Sequence, residues 1–167
     1  CDVHNLDHSP FEGCPRTRLK LMLEQYSKLG LKVMIAPEIE FFLFEREGQI
    51  RPTTHTDDPG SYFDLVPHDR GEQIRRRIMS RLLELGFVVD ASHHEIAPGQ
   101  HEIDLRESPA LSTADIIASM RMLARSVASA AGMHATFMPK PIYGRDGSGM
   151  HLHLRLLKND KNAFEDP

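Results

Sequence analysis

His93-His94-Glu95-Ile96-Ala97-Pro98-Gly99-Gln100-His101-Glu102-Ile103-Asp104 is the stretch that decides the fold class of this chain. Pro98-Gly99 is a turn signal. The flanking segments read as strands, Phe87 to Ile96 and His101 to Arg106, folded back on one another so that Glu95 comes near Glu102. Upstream, Val33 to Phe44 is rich in β-branched and aromatic residues and reads as a further strand. Residues 46–61 carry Gly48, Pro52, Pro59 and Gly60 and read as an excursion. Met133 to Met138 and Gly149 to Leu157 complete the strand set.

Three helices separate these strands. Pro15 opens the first, Leu19, Met22, Leu23 and Tyr26 give it a helical stripe, and Gly30 follows its end. The second has Ile74, Ile78, Leu82 and Leu85 on one face and ends at Gly86. Asp69 and Glu72 are spaced as a capping box for it, and Arg75, Arg76 and Arg77 read as a solvated face. The third is capped by Ser112 or Thr113, carries Ile116, Ile117, Met120, Leu123, Ala124, Val127 and Ala128 as a broad apolar stripe, and ends at Gly132. The expectation is an α+β domain: a largely antiparallel sheet with helices packed on one face.

The length, 167 residues, suffices for one domain with a core. A net charge of -4 argues against a nucleic-acid partner. No apolar run is long enough to span a membrane and there is no signal peptide, so the cytoplasm is the default. Cys1 and Cys14 lack the spacing of a disulfide framework or zinc knuckle. The chain starts at Cys1 rather than Met and ends after Asn162-Ala163-Phe164-Glu165-Asp166-Pro167 without a closing element, so it reads as part of something longer.

Three segments carry chemistry. Glu38 and Glu40 alternate within an apolar strand, so both point to one face, their Cα atoms roughly 6.5–7 Å apart. Burying such charges costs several kcal/mol unless they are paired or bind metal. The competing reading is an edge strand whose polar face meets water. Glu95 and Glu102 add two acids; four together repel unless cations neutralise them, and oxygen-rich ligation favours magnesium or manganese over zinc. The alternative here is a polar hairpin at a sheet edge. In Gly147-Ser148-Gly149-Met150-His151-Leu152-His153, a glycine turn feeds a strand with His151, His153 and Arg155 on one face. Met150, Leu152, Leu154 and Leu156 share the other face, expected to meet the core.

In order and in composition these segments resemble the glutamine synthetases of the bacterial and archaeal type. Glu38-Ile39-Glu40-Phe41-Phe42 looks like the family's first metal motif, and His93 to Glu102 like its second. Ala135-Thr136-Phe137-Met138-Pro139-Lys140-Pro141 with Gly147 to His151 looks like its third, and Tyr62-Phe63 with Pro67 and Asp69 matches the stretch after the first. The resemblance implies a partial catalytic domain over 15–167, preceded by a linker over 1–14. It implies that Glu40, Glu95 and Glu102 hold one Mg2+ or Mn2+ and that Glu38 and His151 help hold a second. Asp146, Gly147 and His151 would contact glutamate, Tyr62 would border the ammonium pocket, and Asp90, His153 and Arg155 would lie at the nucleotide. Glu95 and Tyr62 would be the catalytic residues, Glu95 among the carboxylates that favour ammonium binding and could take its proton. The implied partners are glutamate, ammonia and ATP, in a large ring-shaped homo-oligomer.

The resemblance has departures. Asp146 stands where the family has Asn, Asp90 where it has Glu, Glu107 where an aromatic packs on adenine, Arg155 where a small hydroxyl residue sits, and Ser61 where Gly precedes Tyr62. Three functional readings therefore stay open: ammonia ligation to glutamate, a γ-glutamyl–amine ligase, and a non-catalytic relative. A zinc hydrolase using His151 and His153 ranks last, because acids outnumber histidines on the expected face.

Overall fold

The computed structural model describes residues 1–48 and 51–165. Gln49 and Ile50, inside the expected excursion, and Asp166 and Pro167, at the chain's close, lie outside the described residues. In chain order the elements are α1 (Pro15–Lys28), β1 (Leu31–Glu47), β2 (Arg51–Pro52), α2 (Glu72–Glu84), β3 (Val89–His94), β4 (Gln100–Leu105), β5 (Ser108–Pro109), α3 (Ala110–Ala130), β6 (Met133–Thr136), β7 (Met150–Lys158) and β8 (Lys161–Asn162). They form two compact units: 37–106 with 116–152, and 1–36 with 107–115 and the residues from His153 onward.

The first of these units contains the site. Its sheet runs β3-β4-β1, the strands antiparallel, with β6 and the start of β7 along the other side of β1. Strand alternation divides β1 into two faces. Ile39, Phe41 and Leu43 are buried on one, against Ile103 and Leu105 of β4, Ile74, Ile78 and Leu82 of α2, and Met120, Ala124 and Ala128 of α3. The helices therefore cover this face, as the apolar periodicity of both predicts. The even-numbered residues take the other face: Glu38 and Glu40 first, then Phe42 and Phe44, which stack at 5.4 Å and bury Ala97 with Ile142 beside it. The register sets Glu40 directly opposite Glu102, Glu38 opposite Asp104, and His93 of β3 opposite Glu102.

Several local expectations fail here for tertiary reasons. Asp69 caps nothing: α2 starts at Glu72 behind Gly71, without a side-chain cap. Arg75 is not on a solvated face; only 5% of it is exposed, and its guanidinium grips both oxygens of Asp69 at 3.0 and 2.7 Å. Arg76 and Arg77 are exposed as expected. Leu85 lies past the end of α2 and is exposed, so the buried stripe stops at Leu82. The strand expected from Phe87 starts at Val89, where a register irregularity interrupts the pairing with β4.

In the other unit, the N-terminal part of β1 pairs with β5 through Met34 and Ile35, and β7 pairs with β8. Arg16 of α1 binds Asp115 through two guanidinium nitrogens at 2.9 and 2.8 Å, and also Asp2 at 2.5 Å. No residue of α1 is buried; Leu19, Leu23 and Tyr26 are half-covered, and Met22 is exposed. The third helix starts earlier than its polar residues suggest, at Ala110, so Ser112 and Thr113 lie within its first turn. Thr113 instead donates to the Ile35 carbonyl at 3.1 Å, with the Ser108 hydroxyl 2.7 Å away. The apolar face of β7 does not meet a core: Met150, Leu152 and Leu154 are 49%, 50% and 52% exposed. Leu156, on the same face, is half-buried.

Candidate metal and substrate site

One cavity on the carboxylate face gathers residues from five places in the chain: Glu38 and Glu40 of β1, Tyr62 and Phe63 of the following loop, His93 and Glu95 at the end of β3, Gln100, Glu102 and Asp104 of β4, and Asp146, Gly147 and His151 around the start of β7. Two groups of ligand atoms form within it, each with all members within 4.8 Å of one another: Glu38, Glu102 and His151, and His93, Glu95 and Glu102. Glu102 belongs to both. His151 Nδ1 lies 3.1 Å from Glu38 Oε2. His93 bridges the other acids, Nδ1 at 3.4 Å from Glu95 Oε1 and Nε2 at 3.7 Å from Glu102 Oε2.

Electrostatics and donor chemistry fit a divalent cation here. Burial, reinforced by the nearby Glu95 and Asp104 carboxylates, pushes Glu102 up to about 9. A carboxyl in that position favours its neutral form because burial and the neighbouring acids disfavour its charge. A divalent cation supplies that charge, and sets of two carboxylates with one imidazole are oxygen-rich ligation of the kind magnesium and manganese take.

Glu40 stands apart from both groups. Its Oε2 accepts from Gln100 Nε2 at 2.7 Å and from the Gly149 amide at 3.0 Å, while Gln100 Nε2 also donates to the Gly147 carbonyl at 3.0 Å. Glu40 and Gln100 thus tie the glycine turn before β7 to the sheet. Gly147 tolerates no side chain in this arrangement: a Cβ there would meet the Pro139 carbonyl oxygen at 2.1 Å. Gly147→Ala should therefore displace the turn and lower stability by about 1–3 kcal/mol. Thermal denaturation of both forms checks this, and an unchanged Tm would show that the turn yields freely.

The aromatic wall is ordered against the same histidine. Phe63 stacks on His93 with centroids 4.3 Å apart, and Tyr62 meets His93 edge-on at 5.5 Å. Phe63 has φ +60°, a left-handed backbone unusual for an aromatic, and its amide donates to the His94 carbonyl at 3.1 Å. His93, Gln100 and Asp104 were not singled out by sequence reading. The available signal was alternation: His93 shares a face with Glu95, and Asp104 with Glu102.

The remaining expected residues are not in the lining of this cavity. Asp90 is exposed and paired with Arg106 at 2.7 Å. His153 and Arg155 are exposed on β7, and Arg155 is ion-paired with Glu107. Two positions that depart from the family pattern, Glu107 and Arg155, therefore touch each other.

A second group, Asp58, Asp69, His94 and His101, is buried on the opposite face with ligand atoms within 4.8 Å. Its contacts are those of an ionic network more than of a metal site. Arg75 donates to His101 Nδ1 at 2.9 Å, so that nitrogen holds the lone pair and Nε2 keeps the proton of the neutral ring. Burial, with the Arg75 and His94 charges, holds His101 down to about 4, so the ring stays neutral. Both Asp69 oxygens are occupied by Arg75. Burial opposes ionisation of Asp58, but the two histidines outweigh it and hold the carboxyl far below its ordinary range. The cluster is a buried ionic network.

The fold and cavity define a class: α+β catalytic domains that present an acidic, cation-ready face of an antiparallel sheet. The glutamine synthetase catalytic-domain model matches residues 12–167, and the chain belongs to that family. It is 52% identical to the glutamine synthetase of Thermus thermophilus, over 100% of this chain and 38% of that protein. With the glutamine synthetase of Clostridium saccharobutylicum the identity is 49%, over 99% and 38%. Among solved structures, Plasmodium falciparum glutamine synthetase superposes with a TM-score of 0.87 at 30% identity, covering 100% of this chain and 39% of that one. A GmaS–ADP complex gives 0.88 at 32%, covering 99% and 39%. The chain thus spans well under half the length of these relatives.

Proposed function

We propose that the intact protein joins ammonia to the γ-carboxylate of glutamate at the expense of ATP, by way of γ-glutamyl phosphate. The observation that carries this reading is the pair of ligand groups sharing Glu102 in one cavity of a glutamine synthetase-family domain. Glu38, Glu102 and His151 would hold one Mg2+ or Mn2+, and His93, Glu95 and Glu102 would frame the other. Bound there, the cations would offset charge on the transferring phosphoryl group and the two anions it joins. Glu40 and Gln100 would hold the turn that presents Asp146 and Gly147 to the amino acid. Tyr62 would border the ammonium pocket, and Glu95 would favour binding of the ammonium form and could take one proton from it, leaving the neutral amine as nucleophile. Asp90, His153 and Arg155 are the proposed nucleotide contacts. The test is an assay of the intact protein with ATP, glutamate and ammonia or a panel of amines, following phosphate release and amide formation together; no glutamate-dependent phosphate release with any acceptor would refute the reading.

One residue bears on which substrate is contacted. Asp146 lines the cavity and adds an acid where the family has an amide. With glutamate as the ligand contacted there, Asp146→Asn should lower KM for glutamate by removing ground-state repulsion. If Asp146 instead holds a cationic amine, the same change should raise KM for that amine. Steady-state kinetics of both forms separate the two, and unchanged KM values would show that Asp146 does not face either substrate.

A further inference from the structure

The proposed metal ligands Glu95 and Glu102 each have a histidine as chain neighbour, His94 and His101, whose side chain turns to the opposite, buried face of the sheet. Both imidazoles are wholly buried, and their rings meet edge to face at 4.9 Å. The two residues are also cross-strand partners in the β3–β4 ladder. Whatever holds these rings therefore holds the backbone from which both carboxylates project.

Asp58 meets both. One of its oxygens lies 3.2 Å from His94 Nε2 and the other 3.4 Å from His101 Nε2. The same carboxylate accepts from the backbone amides of Gly60 at 3.2 Å, Arg70 at 3.2 Å and Gly71 at 3.0 Å. It thereby closes both ends of the loop that carries Tyr62 and Phe63. The backbone is pressed onto the rings: a Cβ on Gly71 would fall 2.2 Å from His101 Nε2. On the far side of the loop, Phe63 is hydrogen-bonded to the His94 carbonyl and stacked on His93. His94 Nδ1 contacts the Glu95 carbonyl at 2.6 Å, completing a chain of contacts from Asp58 to the proposed ligand.

We propose that Asp58 is a positioning residue: acting through His94 and His101, it sets the spacing of Glu95 and Glu102 and seats the Tyr62–Phe63 wall over the cation site. It touches neither substrate nor cation. The inference rests on the reading of Glu95 and Glu102 as cation ligands. Outer partners that orient metal ligands typically contribute about 10–100-fold in metal affinity.

The experiment is Mn2+ binding to the intact protein, followed by calorimetry and by the electron paramagnetic resonance spectrum of the bound ion. The forms compared are wild type, Asp58→Asn, His94→Gln and Ile78→Val. Ile78 is a fully buried core residue that does not line the cavity, and its shortening tests lowered stability alone. Asp58→Asn should weaken Mn2+ binding about tenfold or more and alter the spectrum, while Ile78→Val changes neither at temperatures where it is folded. If Asp58→Asn does not fold, His94→Gln carries the same expectation. Wild-type affinity and spectrum in the folded Asp58 or His94 variant would overturn the inference, as would equal weakening in Ile78→Val. A wild type that binds no Mn2+ would instead overturn the underlying reading of the carboxylates, and the inference with it.

Discussion

If the intact protein runs the proposed reaction, Glu102→Gln is expected to reduce its glutamate-dependent phosphate release by on the order of a thousandfold while leaving the fold intact. Glu102 is the one residue shared by both candidate ligand groups. Replacing it removes an anionic oxygen from each cation position at once. Cations on a transferring phosphoryl group supply several kcal/mol, and each 1.36 kcal/mol is tenfold in rate. Stability should move the other way or not at all. Without a cation the carboxyl is pushed up to about 9 and is neutral at pH 7, and glutamine reproduces that neutral shape. The check is paired: kcat and Mn2+ affinity from kinetics and calorimetry, Tm from thermal denaturation. Full activity in the variant would remove Glu102 from the site.

Arg75→Met should cost about 3–5 kcal/mol of stability, the range for breaking a buried ion pair from one side. The substitution strands Asp69, whose side chain is 1% exposed, and removes the donor to His101 Nδ1. Replacing both partners, as Arg75→Met with Asp69→Leu, should recover most of the loss, because apolar pairs of similar volume often substitute for buried ion pairs. Urea denaturation of the three forms measures this. A loss below about 1 kcal/mol in the single variant, within the range of exposed pairs, would show that water reaches the pair.

Much of the carboxylate face was legible in the residues themselves. The period of two in Pro37-Glu38-Ile39-Glu40-Phe41 requires Glu38 and Glu40 to share a face opposite Ile39 and Phe41. Pro98-Gly99 requires the chain to reverse between Glu95 and Glu102. Helical spacing marked Ile74, Ile78 and Leu82 for the core, where all three are found. The same local rules misjudged Arg75, because a residue in a charged run reads as solvated unless its partner is known. Asp69 is six positions away, but the other groups that close the network, Asp58 and His101, come from a distant loop and from β4. Thr113 was misread likewise: its acceptor is the Ile35 carbonyl, and no local pattern points to it.

Alternation and turn chemistry act over a few residues, so the sequence alone determined that this chain makes a two-faced antiparallel sheet and that Glu38, Glu40, Glu95 and Glu102 gather on its open face, though not that Asp104 joins them. Pairing between distant strands depends on the packing of all of them, and only the tertiary structure decided it. That register put Glu40 opposite Glu102 and His93 beside it, brought His151 to Glu38, turned Glu40 toward Gln100 and the glycine turn, and buried Arg75 against Asp69. It also left Met150, Leu152 and Leu154 exposed on β7. Their alternation selects a face, but burial requires a second surface to meet it.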